Sequence, residues 1–219
     1  MTSTQASTMV STGTRILVVF FSLCMALIGQ SQVIASLREG DLLFGCADGD
    51  NAITAVTSGV EGKLIDHVGV VHRIGGDQGP LFVIEAIKPM VCLTPVDTFL
   101  FHNPQVMVGR VNVEVDICRS IRNCLLMVGK PYDDLYLQGD SAIYCSELVQ
   151  SCFVTPIGDL VFDTVPMSFH DDSGKITDYW RDFYARRGMR VPEGAPGTNP
   201  GELSRRPNVT IIGKYPIHL

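Results

Sequence analysis

Two periodicities alternate along the chain. Short apolar runs rich in β-branched and aromatic residues occupy 42–44, 67–72, 81–86 and 106–111, and they read as strands. The turn cluster Gly75-Gly-Asp-Gln-Gly-Pro80 separates the second run from the third and predicts a hairpin. Helical spacing appears at Ile117, Cys118, Ile121, Cys124, Leu125 and Val128, predicting an amphipathic helix over 114–128. It returns at Cys145, Leu148, Val149 and Cys152, predicting a helix from Tyr144-Cys145 to about Val154, stopped by Thr155-Pro156. Residues 51–58 suggest a short helix closed by Gly59, and 94–100 another with Pro95 at its first position. A late helix over 177–187 carries Tyr179, Trp180, Phe183 and Tyr184, read as core. The Pro- and Gly-rich 190–208 reads as an ordered loop, and 209–213 as a last strand. Separate strands and helices of this kind predict an α+β fold.

The first 35 residues stand apart. A polar Ser/Thr-rich start leads to the apolar run 16–28, which has signal-peptide length and is short for a membrane span. Small residues suited to cleavage follow, Gly29 with Ser31 or Val33 with Ala35. Cys24 lies in a poor lipoprotein context, with Phe21 and Leu23 before it. Residues 1–35 are therefore expected to be a cleaved signal peptide, and 36–219 one exported domain, periplasmic or extracellular, with no membrane span in the mature form. Six cysteines would remain. The mature domain is large enough to fold without staples, and Cys118 and Cys124 sit on an apolar helical stripe, so mostly free thiols are expected.

Charge narrows the chemistry. Seventeen basic residues face 23 acidic ones, a net charge of −6, without a basic stripe, which excludes nucleic acid as an expected partner. No CxxC or HExxH spacing suggests zinc. Asp48-Gly-Asp50-Asn51 resembles the start of a calcium loop but lacks the later ligands. Neither a metal nor an organic cofactor is expected.

Cys145 is the residue with chemical potential. In the first turn of its helix it meets unpaired backbone N–H groups and the positive dipole end, which favour a thiolate; a small buried Cys is the plain alternative. Tyr144, just before it, would border any pocket there. A nucleophilic thiol needs a base, and His67 is the best placed of five histidines. With the hairpin centred on Gly76, His67 and Glu85 stand opposite each other, with Cβ atoms about 4.5–5.5 Å apart. Glu85 is itself a charge within the apolar 82–86 run, where a partner is expected; a structural ion pair would satisfy it equally. Asp66 points to the other face. His72 has the wrong parity, His102 falls in a loop, His170 lies in a solvated acidic turn and His218 is next to the terminus.

Five short motifs occur in order: Gly40-Asp-Leu-Leu-Phe44, Asp66-His-Val-Gly-Val70, Val83-Ile-Glu-Ala86, Gly129-Lys-Pro-Tyr-Asp133 and Tyr144-Cys-Ser-Glu-Leu148. With the tail Pro192-Glu-Gly-Ala-Pro-Gly-Thr-Asn-Pro200 they resemble the YiiX/YebB-like permuted papain-fold cysteine hydrolases of the NlpC superfamily. The resemblance implies a circularly permuted papain-like fold, an antiparallel sheet with the cysteine helix packed against it. It implies Cys145 as nucleophile, His67 as base and Glu85 as the orienting third residue. Glu147 also matches, but a carboxylate in a helix's first turn has a structural explanation. The implied activity is an exported amidase or peptidase acting through an acyl-enzyme, with a cell-wall peptide as one substrate class. An acyltransferase or lipid amide/ester hydrolase of the lecithin–retinol acyltransferase-like type is the rival, and a non-catalytic binding module the second. An apolar tunnel beside Cys145 would favour the lipid-type substrate, a polar cleft the peptide.

Overall fold

The computed structural model describes residues 34, 36–76, 78–139 and 141–216. The expected signal peptide falls almost entirely outside the described residues, as does His218. Among the described residues no helix is long and apolar enough to cross a membrane.

Six strands form one antiparallel sheet: β1 Leu42–Cys46, β2 Ile65–Arg73, β3 Leu81–Ala86, β4 Val91–Pro95, β5 Val106–Val111 and β6 Val209–Tyr215. Their spatial order is β4-β3-β2-β1-β5-β6. Every residue of β1 is buried, because both faces of the sheet are covered there. Leu42 and Phe44 point to one face, beside Val68, Val70 and Ile84. Leu43 points to the other, beside Val71 and Val83. The alternation is the two-residue period of a strand.

The first face is covered by α2, Ile117–Leu126, and α3, Cys145–Cys152, through Ile121, Cys124, Leu148 and Val149. The second is covered by α1, Val96–His102, through Val96, Phe99 and Leu100. A third cluster lies beyond the sheet, where Trp180, Phe183 and Tyr184 of α4, Asp178–Ala185, pack with Met167 and Phe169. The architecture is the α+β arrangement expected.

Several elements differ from the sequence reading, each for a local reason. Residues 51–58 do not form a helix. The Asn51 Oδ1 accepts the backbone N–H groups of Ile53 and Thr54 at 2.9 and 3.0 Å, an Asx turn that competes with helix formation. The helix expected over 94–100 is present as α1, with Pro95 as its N-cap; Thr94-Pro95 also closes β4, where Pro95 pairs with Phe82 and the edge position tolerates its missing N–H. Within 190–208 a helix, α5 (Pro200–Ser204), replaces part of the loop. Asn199 caps it by accepting the Glu202 N–H at 2.6 Å, and Pro200 takes the first turn.

The stripe of α2 is rotated from the one expected. Asp116 caps the helix by accepting the Arg119 N–H at 3.0 Å. The inward positions are Ser120, Ile121 and Cys124, and Cys118 is exposed. A buried serine had hidden the true stripe: Ser120 Oγ donates to the Asp116 carbonyl and accepts the Val154 N–H at 3.0 Å, so it enters the core without loss. Cys124 and Cys152 are both buried in the core where α2 meets α3. All six described cysteines are free.

The start of α3 depends on Glu147. The chain is extended at Tyr144 and helical from Cys145. Glu147 is buried, and its carboxylate accepts the N–H groups of Tyr144 and Gly139, each at 3.4 Å. These long contacts compensate only part of the desolvation, so burial raises the Glu147 pKa to about 7. A carboxyl whose folded pKa is raised contributes stability below its unfolded pKa, near 4.5, and loses it as pH rises through about 7. The stability of the wild type relative to Glu147→Gln is therefore expected to fall between about pH 5 and pH 8. Urea midpoints of both proteins across that range check this; a pH-independent difference would contradict it.

Candidate active site

The hairpin of β2 and β3 brings His67 and Glu85 together, with a register two residues from the simplest one. Gly69, not His67, lies opposite Glu85. A shift of two in the pairing preserves side-chain parity, so His67 and Glu85 still share a face as diagonal neighbours. Glu85 leans along the sheet, and its Oε2 lies 2.6 Å from His67 Nε2. Gly69 makes room for this: a Cβ there would lie 2.3 Å from Val83 Cγ1 and 3.4 Å from Glu85 Cβ. The Phe99 ring of α1 backs the imidazole at a centroid distance of 5.8 Å. The pairing of β1 with β2 loses register between Gly45 and Cys46, beside His67, and such a bulge re-aims the strand.

Cys145 reaches the imidazole from α3. Leu148 and Val149 fix the helix on the sheet, both fully buried, and leave the thiol at its N-terminal end near enough to His67 to act on its charge. Because Glu85 holds Nε2, Nδ1 is the ring nitrogen left for the sulfur. Burial works against the imidazolium, but the hydrogen bonds and negative charges of Cys145 and Glu85 outweigh it and push His67 up to about 10. The ring is thus held as a cation through neutral pH, between a carboxylate and a sulfur.

A small cleft, partly open to solvent, lies against Cys145. Its walls are mainly apolar: Ile53, Val56, Tyr132, Tyr136, Phe169 and Trp180. Tyr144 also lines it; its hydroxyl accepts the Thr198 N–H at 3.0 Å, which ties the chain before α3 to the segment before α5. Asp66 lines the cleft and accepts from Asn51 Nδ2 at 2.6 Å. Tyr136 has φ 53°, outside the usual range for a side-chain-bearing residue, and is held between Tyr144 and Trp180 at ring distances of 5.5 Å.

Sequence reasoning brought Cys145, His67, Glu85 and Tyr144 to this place. It left out the tyrosines of the 129–136 segment, which carry no periodic pattern, and assigned Trp180 to the core. Trp180 is indeed buried, but one side of it forms a cleft wall. The other described histidines lie elsewhere. His72 Nδ1 is 2.6 Å from Glu39, and His170 Nδ1 is 3.1 Å from Glu193. His102 ends α1, where a loop was expected. Among the described residues no three His, Cys, Asp or Glu side chains converge as a metal-binding group.

This geometry agrees with what the chain is similar to. The model of a family described as permuted papain-like amidase enzymes, YaeF/YiiX, C92 family, matches residues 36–213. The crystal structure of yiiX from Escherichia coli O157:H7, titled a metalloprotein, superposes with a TM-score of 0.63 at 20% identity, covering 81% of this chain and 97% of that one. No curated protein matches. A permuted order, histidine strand before cysteine helix, on a fold of this kind and matched over almost all of the described residues, places the chain in the permuted papain-like amidase family of YaeF and YiiX.

Proposed function

We propose that this enzyme cleaves an amide through an acyl-enzyme on Cys145, with His67 as acid–base and Glu85 as the residue that orients it. The observation that carries the reading is the buried Glu85–His67 contact of 2.6 Å, with Cys145 acting electrostatically on the same ring. The sulfur attacks the carbonyl carbon as a thiolate, and the backbone N–H of Cys145 at the helix start stabilises the oxyanion. The imidazolium gives its proton to the leaving amine and then, as neutral imidazole, takes one from the water that releases the acid. Glu85 keeps Nε2 protonated and stabilises the cation.

The apolar cleft favours an apolar acyl group over a charged cell-wall peptide, so the preferred substrate is a lipid-type amide. The apolar run 16–28, read from the sequence as a signal peptide, is consistent with action outside the cytoplasm.

Cys145→Ala is expected to abolish turnover, and His67→Ala to lower it by a factor of about 100 to 10,000. The two losses should not add, since the residues act as a unit. Glu85→Gln should be milder. Full activity of Cys145→Ala would end the reading of Cys145 as nucleophile, and absence of any turnover by wild type would favour a binding module.

Acyl p-nitroanilides of increasing chain length test the substrate class. Each buried methylene contributes about 0.8 kcal/mol, so octanoyl should exceed butyryl in kcat/KM by about two orders of magnitude. A γ-glutamyl anilide turned over faster than either would move the assignment to the peptide.

For export, mass spectrometry of secreted or periplasmic material should find a mature N-terminus between Gln32 and Ser36; retention of 16–28 would indicate an anchor.

A further inference from the structure

Buried hydroxyls almost always have a hydrogen-bond partner, so an exception calls for an explanation. Ser146 is such an exception. It follows Cys145 directly, its side chain is fully buried, and its Oγ has no partner among the described residues. It is also part of the wall of the cleft that Cys145 lines. The other buried polar side chains of α3 itself are satisfied: Gln150 donates to the Phe162 carbonyl and accepts from Gln138, each at 3.1 Å, and Glu147 takes two backbone N–H groups. Alanine is the best helix former and has no hydroxyl to desolvate, so neither packing nor helix propensity explains a serine at this position.

We infer that Ser146 Oγ is a substrate contact, held without a partner in the free enzyme and hydrogen-bonded to the amide group that Cys145 attacks. This rests on the amidase reading of the site. Helical side chains lean toward the helix N-terminus, so the hydroxyl of the second residue is directed toward the end where the carbonyl must sit. The surrounding walls are mostly apolar, and a hydrogen bond formed there has little competition from water. The hydroxyl is then an unfavourable element of the empty protein and a favourable one of the complex, which is how a group selects for a bound amide over an empty cleft.

Ser146→Ala and Ser146→Thr test the assignment. On the octanoyl anilide, whose reacting amide is its hydrogen-bonding group along the chain, Ser146→Ala should lose about 3- to 10-fold in kcat/KM, and Ser146→Thr should retain most of it. The Tm of Ser146→Ala should equal or exceed that of wild type, because an uncompensated buried hydroxyl has been removed. Unchanged kcat/KM, or a loss accompanied by a lowered Tm, would overturn the proposal. A second measurement requires no turnover. Iodoacetamide carries an amide next to the carbon that Cys145 attacks, whereas methyl methanethiosulfonate carries none. Ser146→Ala should slow labelling of Cys145 by the first about 2- to 10-fold and leave the second unchanged. An identical ratio of the two rates in both proteins refutes the contact. If wild type hydrolyses none of the anilides while the selective slowing persists, the lipid-type substrate assignment fails and the Ser146 contact stands.

Discussion

A carboxylate buried in a strand governs the rest of this molecule. Glu85 is 4% exposed and sits in a sheet covered on both faces, where an unpaired charge would be too costly to keep. Its compensation is the imidazolium of His67, and that requirement ties the hairpin register, the glycine at 69 and the packing of Phe99 to one another. The pairing works in both directions. The carboxylate needs a cation, and the cation persists through neutral pH because Cys145 and Glu85 both face it.

Two layers meet at that pair. The helix bearing Cys145 packs on one face of the sheet, while Phe99 backs His67 from the other. The site therefore lies where a strand bulge interrupts the β1–β2 register, and rigid elements supply each reacting group. The cleft is built largely from connecting structure, the 129–136 segment and the turns around 51–58. These are pinned by specific hydrogen bonds: Tyr184 to the Leu135 carbonyl at 2.7 Å, Trp180 to the Ala52 carbonyl at 2.9 Å and Thr198 N–H to Tyr144. Precise chemistry on the scaffold and a shape-determining wall on its connections is the usual division of roles.

The order of the chain has a physical consequence as well. With the histidine strand early and the cysteine helix late, the reacting pair is separated by the β3–β5 part of the sheet and by α1 and α2. Neither residue is positioned until this intervening structure has packed. Helix α3 is short, and tertiary burial of Leu148 and Val149, rather than helix propensity, must hold it.

The sequence by itself determined the elements with strong periods and the residues whose type is chemically conspicuous. The hairpin turn, the helix beginning at Cys145 and the anomalous charge at 85 are local signals, and parity alone put His67 and Glu85 on one face even though the register was off by two. What it did not determine was decided by packing. The inward face of α2 depended on a serine satisfied by a neighbouring segment, so periodicity assigned Cys118 to the core when it is exposed. The strand at Val91–Pro95 exists because β3 offers it an edge, and the turn at 51–58 because one asparagine outbids a helix. The cleft was least legible of all: Tyr132, Tyr136 and Trp180 come from separate segments, and only their convergence beside Cys145 makes a wall. An apolar surface shared between distant segments leaves no periodic trace in any one of them.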